Sequence, residues 1–220
     1  MVEAKGLVEV ITPYLQPTHF KKGDTLWLEG DTKGMLIVLK KGRVKIYRVA
    51  SNGTFVTLFI MKPNDIFGFL PLIDHQPYPV SAQALDDIDA FTIDNLTFNT
   101  IIKKDPTVCI SILKYLAHYL RHTFNSFIIL SSRSALTRVA SALMGLLEET
   151  DFTVTNKNQI IKLPVSAKEY ASIIGLTPES FSRKITDLLK MGIIIKNGTN
   201  TFTIIDKGKL FEMANEEFIV

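Results

Sequence analysis

Leu163 to Ile195 reads LPVSAKEYASIIGLTPESFSRKITDLLKMGIII, and its order of caps, glycine and apolar residues predicts two short helices joined by a tight turn. Ser166 can accept from the N–H groups of a first turn, and Glu169 three residues on completes an S-x-x-E capping box. Ala167 to Ile174 then forms the first helix. Gly175 stands where a left-handed residue must end it, a region only glycine enters cheaply. Thr177 caps the second helix, and Pro178 takes its first position, where the missing N–H costs nothing. That helix is expected to run to Lys190, burying Phe181, Ile185, Leu188 and Leu189 and leaving Glu179, Ser180, Ser182, Arg183 and Thr186 outside. The outer set is rich in hydrogen-bonding groups near the helix N-terminus, the end that enters a DNA major groove in a helix-turn-helix. An ordinary helical hairpin with a solvated face would share the caps and the glycine.

Charge supports a polyanionic partner locally rather than globally. The whole chain of 220 residues carries 25 Lys and Arg against 22 Asp and Glu, a net +3. From Lys157 to Lys209, however, nine basic residues face four acidic ones, so nine minus four leaves +5 around the proposed reader helix. A 46% hydrophobic and 21% charged composition describes a folded chain long enough for two domains. The sequence has no leader of the secretory type and no long uncharged apolar run, so a soluble cytoplasmic protein without membrane contact is expected. One cysteine, Cys109, excludes internal disulfides and a four-cysteine iron–sulfur cluster within the chain.

Upstream, Phe20 to Ile93 alternates short strand-like runs with turn residues such as Lys22-Gly23-Asp24, Ser51-Asn52-Gly53 and Pro63-Asn64-Asp65. Strands are expected at Met35 to Leu39, Arg43 to Val49, Phe55 to Ile60 and Ala90 to Ile93, in an antiparallel barrel or jelly roll. The first fifteen residues are read as a helix ending at Pro17. Thr97 to Lys104 is a short helix, and Asp105-Pro106 opens a long one reaching Ser132. On it Cys109, Leu113, Leu116, Leu120, Thr123, Phe127 and Leu130 alternate steps of four and three, a coiled-coil seam that predicts pairing with a second copy. Arg133-Ser134 makes a hinge. Ala135 to Glu149 is amphipathic, and Ile193 to Lys196 and Thr201 to Ile205 form a hairpin turning at Asn197-Gly198.

The E-x-x-S-R pattern of Glu179, Ser182 and Arg183, preceded by Gly175-Leu176-Thr177, resembles the recognition helix of the FNR branch of the CRP/FNR transcription regulators. The stretches at Phe20 to Leu26, Lys40 to Tyr47 and Asn64 to Gly68 are similar to that family's cyclic-nucleotide-type β-roll. The resemblance implies an α+β chain with a sensory β-roll over 1–104, a dimerisation helix and hinge over 105–133, and a winged helix-turn-helix over 134–220. It implies a homodimer reading an inverted repeat of TTGAT-like half-sites on double-stranded DNA, with RNA polymerase as a further partner. Ser166, Lys168, Thr177, Glu179, Ser180, Ser182, Arg183, Thr186, Lys196 and Asn197 are the candidate DNA contacts, with Thr199 a further phosphate contact.

In members that bind cyclic AMP, a Glu follows the glycine and an Arg-Ser pair follows a short loop. Here Phe69 holds the Glu place and Val80 the Arg place, before Ser81 and Ala82. Without a guanidinium a buried phosphodiester would lack its counter-charge, so a small effector other than cyclic AMP is expected. Phe67, Gly68, Phe69, Leu70, Leu72, Val80, Ser81 and Ala82 are its candidate lining, with Leu116, Leu120, Thr123 and Phe124 from the long helix. A pocket filled by its own side chains is the alternative. Haem is another occupant, because relatives with this type of DNA-binding domain sense nitric oxide; His19, His75, His118 and His122 are then the candidate ligands. A metalloenzyme of the cupin type would need clustered His and Glu on neighbouring strands, where the roll offers only His75.

Overall fold

The computed structural model describes residues 2–132, 134–149 and 159–215. They fall into two compact units, one running to Arg121 and the other beginning at His122. The first opens with α1 (Val2–Ile11) and a 3-10 turn, followed by β1 (Gln16–Phe20), β2 (Thr25–Trp27), β3 (Met35–Lys41), β4 (Val44–Val49), β5 (Phe55–Met61) and β6 (Ile66–Phe67). After α2 (Leu70–Asp74) come β7 (Ser81–Ala84), β8 (Ile88–Asp94), α3 (Asn95–Lys104) and the start of α4 (Pro106–Ser131). The strands make two four-stranded antiparallel sheets, ordered β1-β8-β3-β6 and β2-β7-β4-β5. The expected N-terminal helix stops at Ile11, and Pro17 lies inside β1, paired with Phe91. β1 is an edge strand, where the missing N–H of proline is tolerated.

Strand β3 shows why the roll needs a continuous apolar run. Ile37 and Leu39 point between the sheets, into a core with Trp27, Val44, Phe67, Tyr78 and Ile88. Leu36 and Val38 point the other way, into a core with Leu7, Ile66, Phe69, Ile93, Phe98, Ile101, Val108, Ile112 and Tyr115. A strand buried on both faces cannot alternate with polar residues. The second core seats α4, and Tyr115 fixes it there. Its phenol donates to the Ile66 carbonyl at 2.6 Å and accepts from the Ile66 N–H at 3.2 Å, satisfying a two-residue strand that is deeply buried.

Along α4 the face opposite Tyr115 is bare. Ile110, Leu113, Leu120, Phe124 and Phe127 are exposed, Phe127 to 67%, and with Ala117 they step by three and four as a heptad seam does. The seam expected from sequence shares Leu113, Leu120 and Phe127 with this stripe but is turned from it. Cys109, Leu116 and Thr123 are half-buried, and Leu116 packs on the Tyr115 cluster itself.

The second unit holds the end of α4, then α5 (Ala135–Glu149), β9 (Gln159–Lys162), α6 (Ala167–Ile173), α7 (Pro178–Lys190), β10 (Ile194–Gly198), β11 (Thr201–Ile204) and α8 (Lys207–Asn215). Val139, Ala140, Leu143 and Leu147 bury the inner face of α5. The break between α4 and α5 falls at the expected hinge, of which Arg133 lies outside the described residues. The wing has three strands, in the order β10-β11-β9, rather than two. Its turn is not at Asn197-Gly198. Those residues are in β10, at a bulge between Lys196 and Gly198, and the chain reverses at Thr199 and Asn200. Asn200 takes the left-handed conformation (φ 60), which asparagine tolerates better than most residues. Its carbonyl accepts from the Leu163 N–H at 2.9 Å, tying the wing tip to the segment that leads into α6.

Replacing Tyr115 by Phe would leave both backbone groups of Ile66 buried and unpaired, at a cost of about 1–3 kcal/mol in urea unfolding. Burial also pushes the Tyr78 phenol up to about 12 and raises that of Tyr115. An unfolded chain ionises both phenols near pH ~10, so their contribution is complete below that value and is lost as pH rises above it. The alkaline fall in unfolding free energy should therefore be shallower in Tyr115→Phe, and an unchanged slope and midpoint would contradict this role.

Candidate functional site

The expected capping signals are realised bond for bond. Ser166 Oγ accepts from the Glu169 N–H at 3.2 Å while the Glu169 carboxylate accepts from Ser166, a closed capping box at the start of α6. Gly175 sits at φ +67. The Leu176 N–H donates to the Ala171 carbonyl (2.9 Å) and the Gly175 N–H to Ser172 (3.1 Å), closing the helix end as a Schellman pair. Thr177 Oγ1 then accepts from the Ser180 N–H at 3.1 Å, with Pro178 in the first turn of α7. Between the last carbonyls of α6 and the first N–H of α7 the chain spends only four residues, so the angle between the helices is fixed by backbone bonds.

Packing sets the rotation of α7. Phe181, Ile185 and Leu188 are buried and Leu189 is half-buried. The Phe181 ring meets that of Tyr170 edge to face at 6.0 Å, and the Tyr170 hydroxyl donates to the Ala142 carbonyl of α5 at 3.2 Å. With that face turned inward, Glu179, Ser182, Arg183 and Thr186 are exposed and Ser180 is half-buried. Lys168 on α6 and Lys196 on β10 are also exposed. They line one concavity with Ser182 and Thr186, and Ser182 and Thr186 line a second with Arg183, Lys184, Asp187 and Lys190.

Several groups in this face are already engaged within the chain. Thr186 Oγ1 donates to the Ser182 carbonyl at 2.9 Å, and the amide of Asn197, which is exposed on β10, donates to Thr203 Oγ1. The Lys184 ammonium, 2.8 Å from Asp187, holds that carboxyl below its ordinary range. Among the described residues, neither Glu179 nor Arg183 makes a hydrogen bond through its side chain, and the two do not pair with each other. Both reach solvent with their full hydrogen-bonding capacity.

The candidate effector lining does not come together as one apolar chamber. Phe67 faces the inter-sheet core and Phe69 the helix-side core, where its ring meets Tyr115 edge-on at 5.9 Å, while Leu70 is exposed on α2. Trp27, which carried no signal in the sequence, lies in the inter-sheet core with Phe67. Its indole stacks on Tyr78 at 4.3 Å, lies 5.9 Å from Phe67 and donates to the Val80 carbonyl at 2.8 Å. A Cβ on Gly68 would meet that ring at 3.3 Å and the Met35 carbonyl at 2.5 Å, so the approach requires glycine. The Tyr78 hydroxyl donates to the Gly68 carbonyl at 2.5 Å, Ser81 Oγ accepts from the Glu29 N–H at 2.9 Å, and Ala82 is fully buried.

Of the histidines, His19 binds Asp89 through Nδ1 at 2.7 Å on the surface, and His75 is an exposed left-handed residue ending α2. The side chains of His118 and His122 lie outside the described ones. Among the described residues no group of three His, Cys, Asp or Glu could hold a metal, and no helix is long and apolar enough to cross a membrane.

Because Gly175 is left-handed and a Cβ there would approach Leu130 Cδ2 at 3.2 Å and Arg138 Nη1 at 3.1 Å, Gly175→Ala should cost about 1–2 kcal/mol in unfolding free energy. Equal stability of the two proteins in a denaturant titration would contradict the turn geometry.

Comparison with known proteins agrees with this architecture. Residues 17–105 match the cyclic nucleotide-binding domain and residues 137–213 the Crp-like helix-turn-helix domain. A CRP-like cAMP-activated global transcriptional regulator of Mycobacterium tuberculosis is 28% identical over 209 residues, covering 94% of this chain and 92% of that one. The transcriptional activator protein FnrA of Stutzerimonas stutzeri is 26% identical over 81% of this chain and 72% of its own. Among solved structures, FixK2 from Bradyrhizobium japonicum superposes with a TM-score of 0.78 at 21% identity, over 90% of this chain and 96% of that one. A CooA mutant from Carboxydothermus hydrogenoformans also scores 0.78, at 23% identity, over 94% and 95%. With a β-roll, a long helix and a winged helix-turn-helix in this order, the chain belongs to the CRP/FNR family of DNA-binding transcription regulators.

Proposed function

We propose that this regulator acts as a homodimer that reads an inverted repeat of TTGAT-like half-sites through α7, under control of a small effector other than cyclic AMP. The observation that carries the reading is the outer face of α7, where Glu179, Ser182 and Arg183 stand exposed and the buried face leaves them no other direction. A glutamate can accept from the amino group of cytosine and an arginine can donate two bonds to guanine. Lys168 and Lys196 flank them as phosphate contacts, which position the protein without reading sequence. Ser166 and Thr177 present their hydroxyls at the two helix N-termini, with Ser180 and Thr186 beside the reading residues.

The bare stripe of α4 supports the dimer. A second copy packed on Ile110, Leu113, Leu120, Phe124 and Phe127 would remove those side chains from water and place two α7 helices in successive major grooves, about 34 Å apart. The chemistry around Phe69 and Val80 argues against cyclic AMP, since no carboxylate or guanidinium replaces the family's pair at these positions. As a regulator of this kind the protein works in the cytoplasm, with RNA polymerase as its partner at the promoter.

Arg183→Ala should lose about 1–3 kcal/mol on the specific repeat and far less on random duplex, because it removes base contacts. Lys196→Ala should weaken both alike and reduce the slope of affinity against salt by about one phosphate contact. Fluorescence anisotropy on the two duplexes measures both, and an Arg183→Ala loss equal on the two would contradict the assignment.

A further inference from the structure

We infer that Arg138 is a positioning residue that transmits the setting of the end of α4 to the turn from which α7 starts. Its guanidinium bonds to two segments far apart in sequence. Nε donates to the Ser132 carbonyl at 2.6 Å, the first residue past α4, and Nη1 donates to the Gly175 carbonyl at 3.0 Å, two residues before the Thr177 cap of α7. The Arg138 backbone N–H donates to Ser134, so the guanidinium projects from the first turn of α5, across the joint. Leu130 of α4 closes the same contact, since its Cδ2 would lie 3.2 Å from a Cβ on Gly175.

Three features make this a coupling rather than a cap. Ser132 is 1% exposed, so the guanidinium meets its carbonyl inside the fold rather than at the surface. A guanidinium is a planar fork that holds two acceptors at a fixed separation, which a lysine ammonium cannot do from one position. Gly175 in turn is bonded into the end of α6 and leads directly into the cap of α7. A rotation of the α4 end is therefore passed to the α6–α7 turn through this one guanidinium. The fork sets where the reader helix points; it touches no base itself.

This rests on the reading of α7 as one of two DNA readers in a dimer, and the test separates the two. Full-length wild type, Arg138→Gln and Arg138→Lys are titrated onto an inverted repeat, the same repeat with one extra base pair between half-sites, and a single half-site. Thermal unfolding is recorded for each. Wild type should prefer the correctly spaced repeat. Arg138→Gln should lose about tenfold or more of that preference while holding the single half-site within about threefold, because each reader stays folded but is no longer aimed. Arg138→Lys, which keeps the charge but spans one carbonyl, should fall between them. If the glutamine variant weakens on all three duplexes by one factor, Arg138 is structural only and the inference fails. It fails also if spacing preference is unchanged in the glutamine variant, or if lysine restores it fully. A wild type indifferent to spacing would count against the dimeric reading, and against this inference with it.

Discussion

The burial of one face of α7 is the constraint from which the rest follows. Phe181, Ile185 and Leu188 must leave water, and the Tyr170 ring gives them a surface fixed to α5 by its hydroxyl. Once that face is inward, helical geometry allows Glu179, Ser182 and Arg183 only the outside. The short joint through Gly175 then prevents α7 from sliding, because the carbonyls ending α6 and the N–H groups starting α7 are satisfied within it. Glu179, Ser182 and Arg183 are thus held on a rigid element.

The N-terminal unit solves a different problem with two cores. β3 is shared by both, and the Tyr115 hydroxyl completes the hydrogen bonding of β6 where no neighbouring strand does. Between the sheets the Trp27–Tyr78 stack is bonded to the Val80 carbonyl through the indole and to the Gly68 carbonyl through the phenol.

Much of the second unit could be read from the chain because local chemistry decides it. Capping boxes, a proline at a helix start and a left-handed glycine act over four residues and leave their own residue types behind. The wing turn misled for the same reason: Asn197-Gly198 has the composition of a hairpin turn, but Asn200 could take the left-handed position while also anchoring Leu163, and a tertiary bond outweighed the dipeptide. The strands β1, β2, β6 and β7 are two to five residues long, too short for a period to show, and β1 carries a proline. The heptad spacing on α4 was legible, but not which of its residues are exposed in the single chain, since Cys109, Leu113 and Leu116 fit the spacing as well as Ile110, Leu113 and Ala117. Only the roll packed against Val108, Ile112 and Tyr115 tells which side remains bare. Trp27 gave no local signal, because its partners Phe67, Tyr78 and Val80 are about forty or more residues away in sequence.

In the proposed dimer, the two α7 helices would make one demand on DNA: two half-sites of opposite orientation about one helical turn apart. Selection of bound duplexes from a random pool by the purified full-length protein tests this directly. The expected result is enrichment of an inverted repeat with TTGAT-like arms, its centres about 34 Å apart. Enrichment of an isolated half-site, of a direct repeat, or of no sequence at all would contradict it.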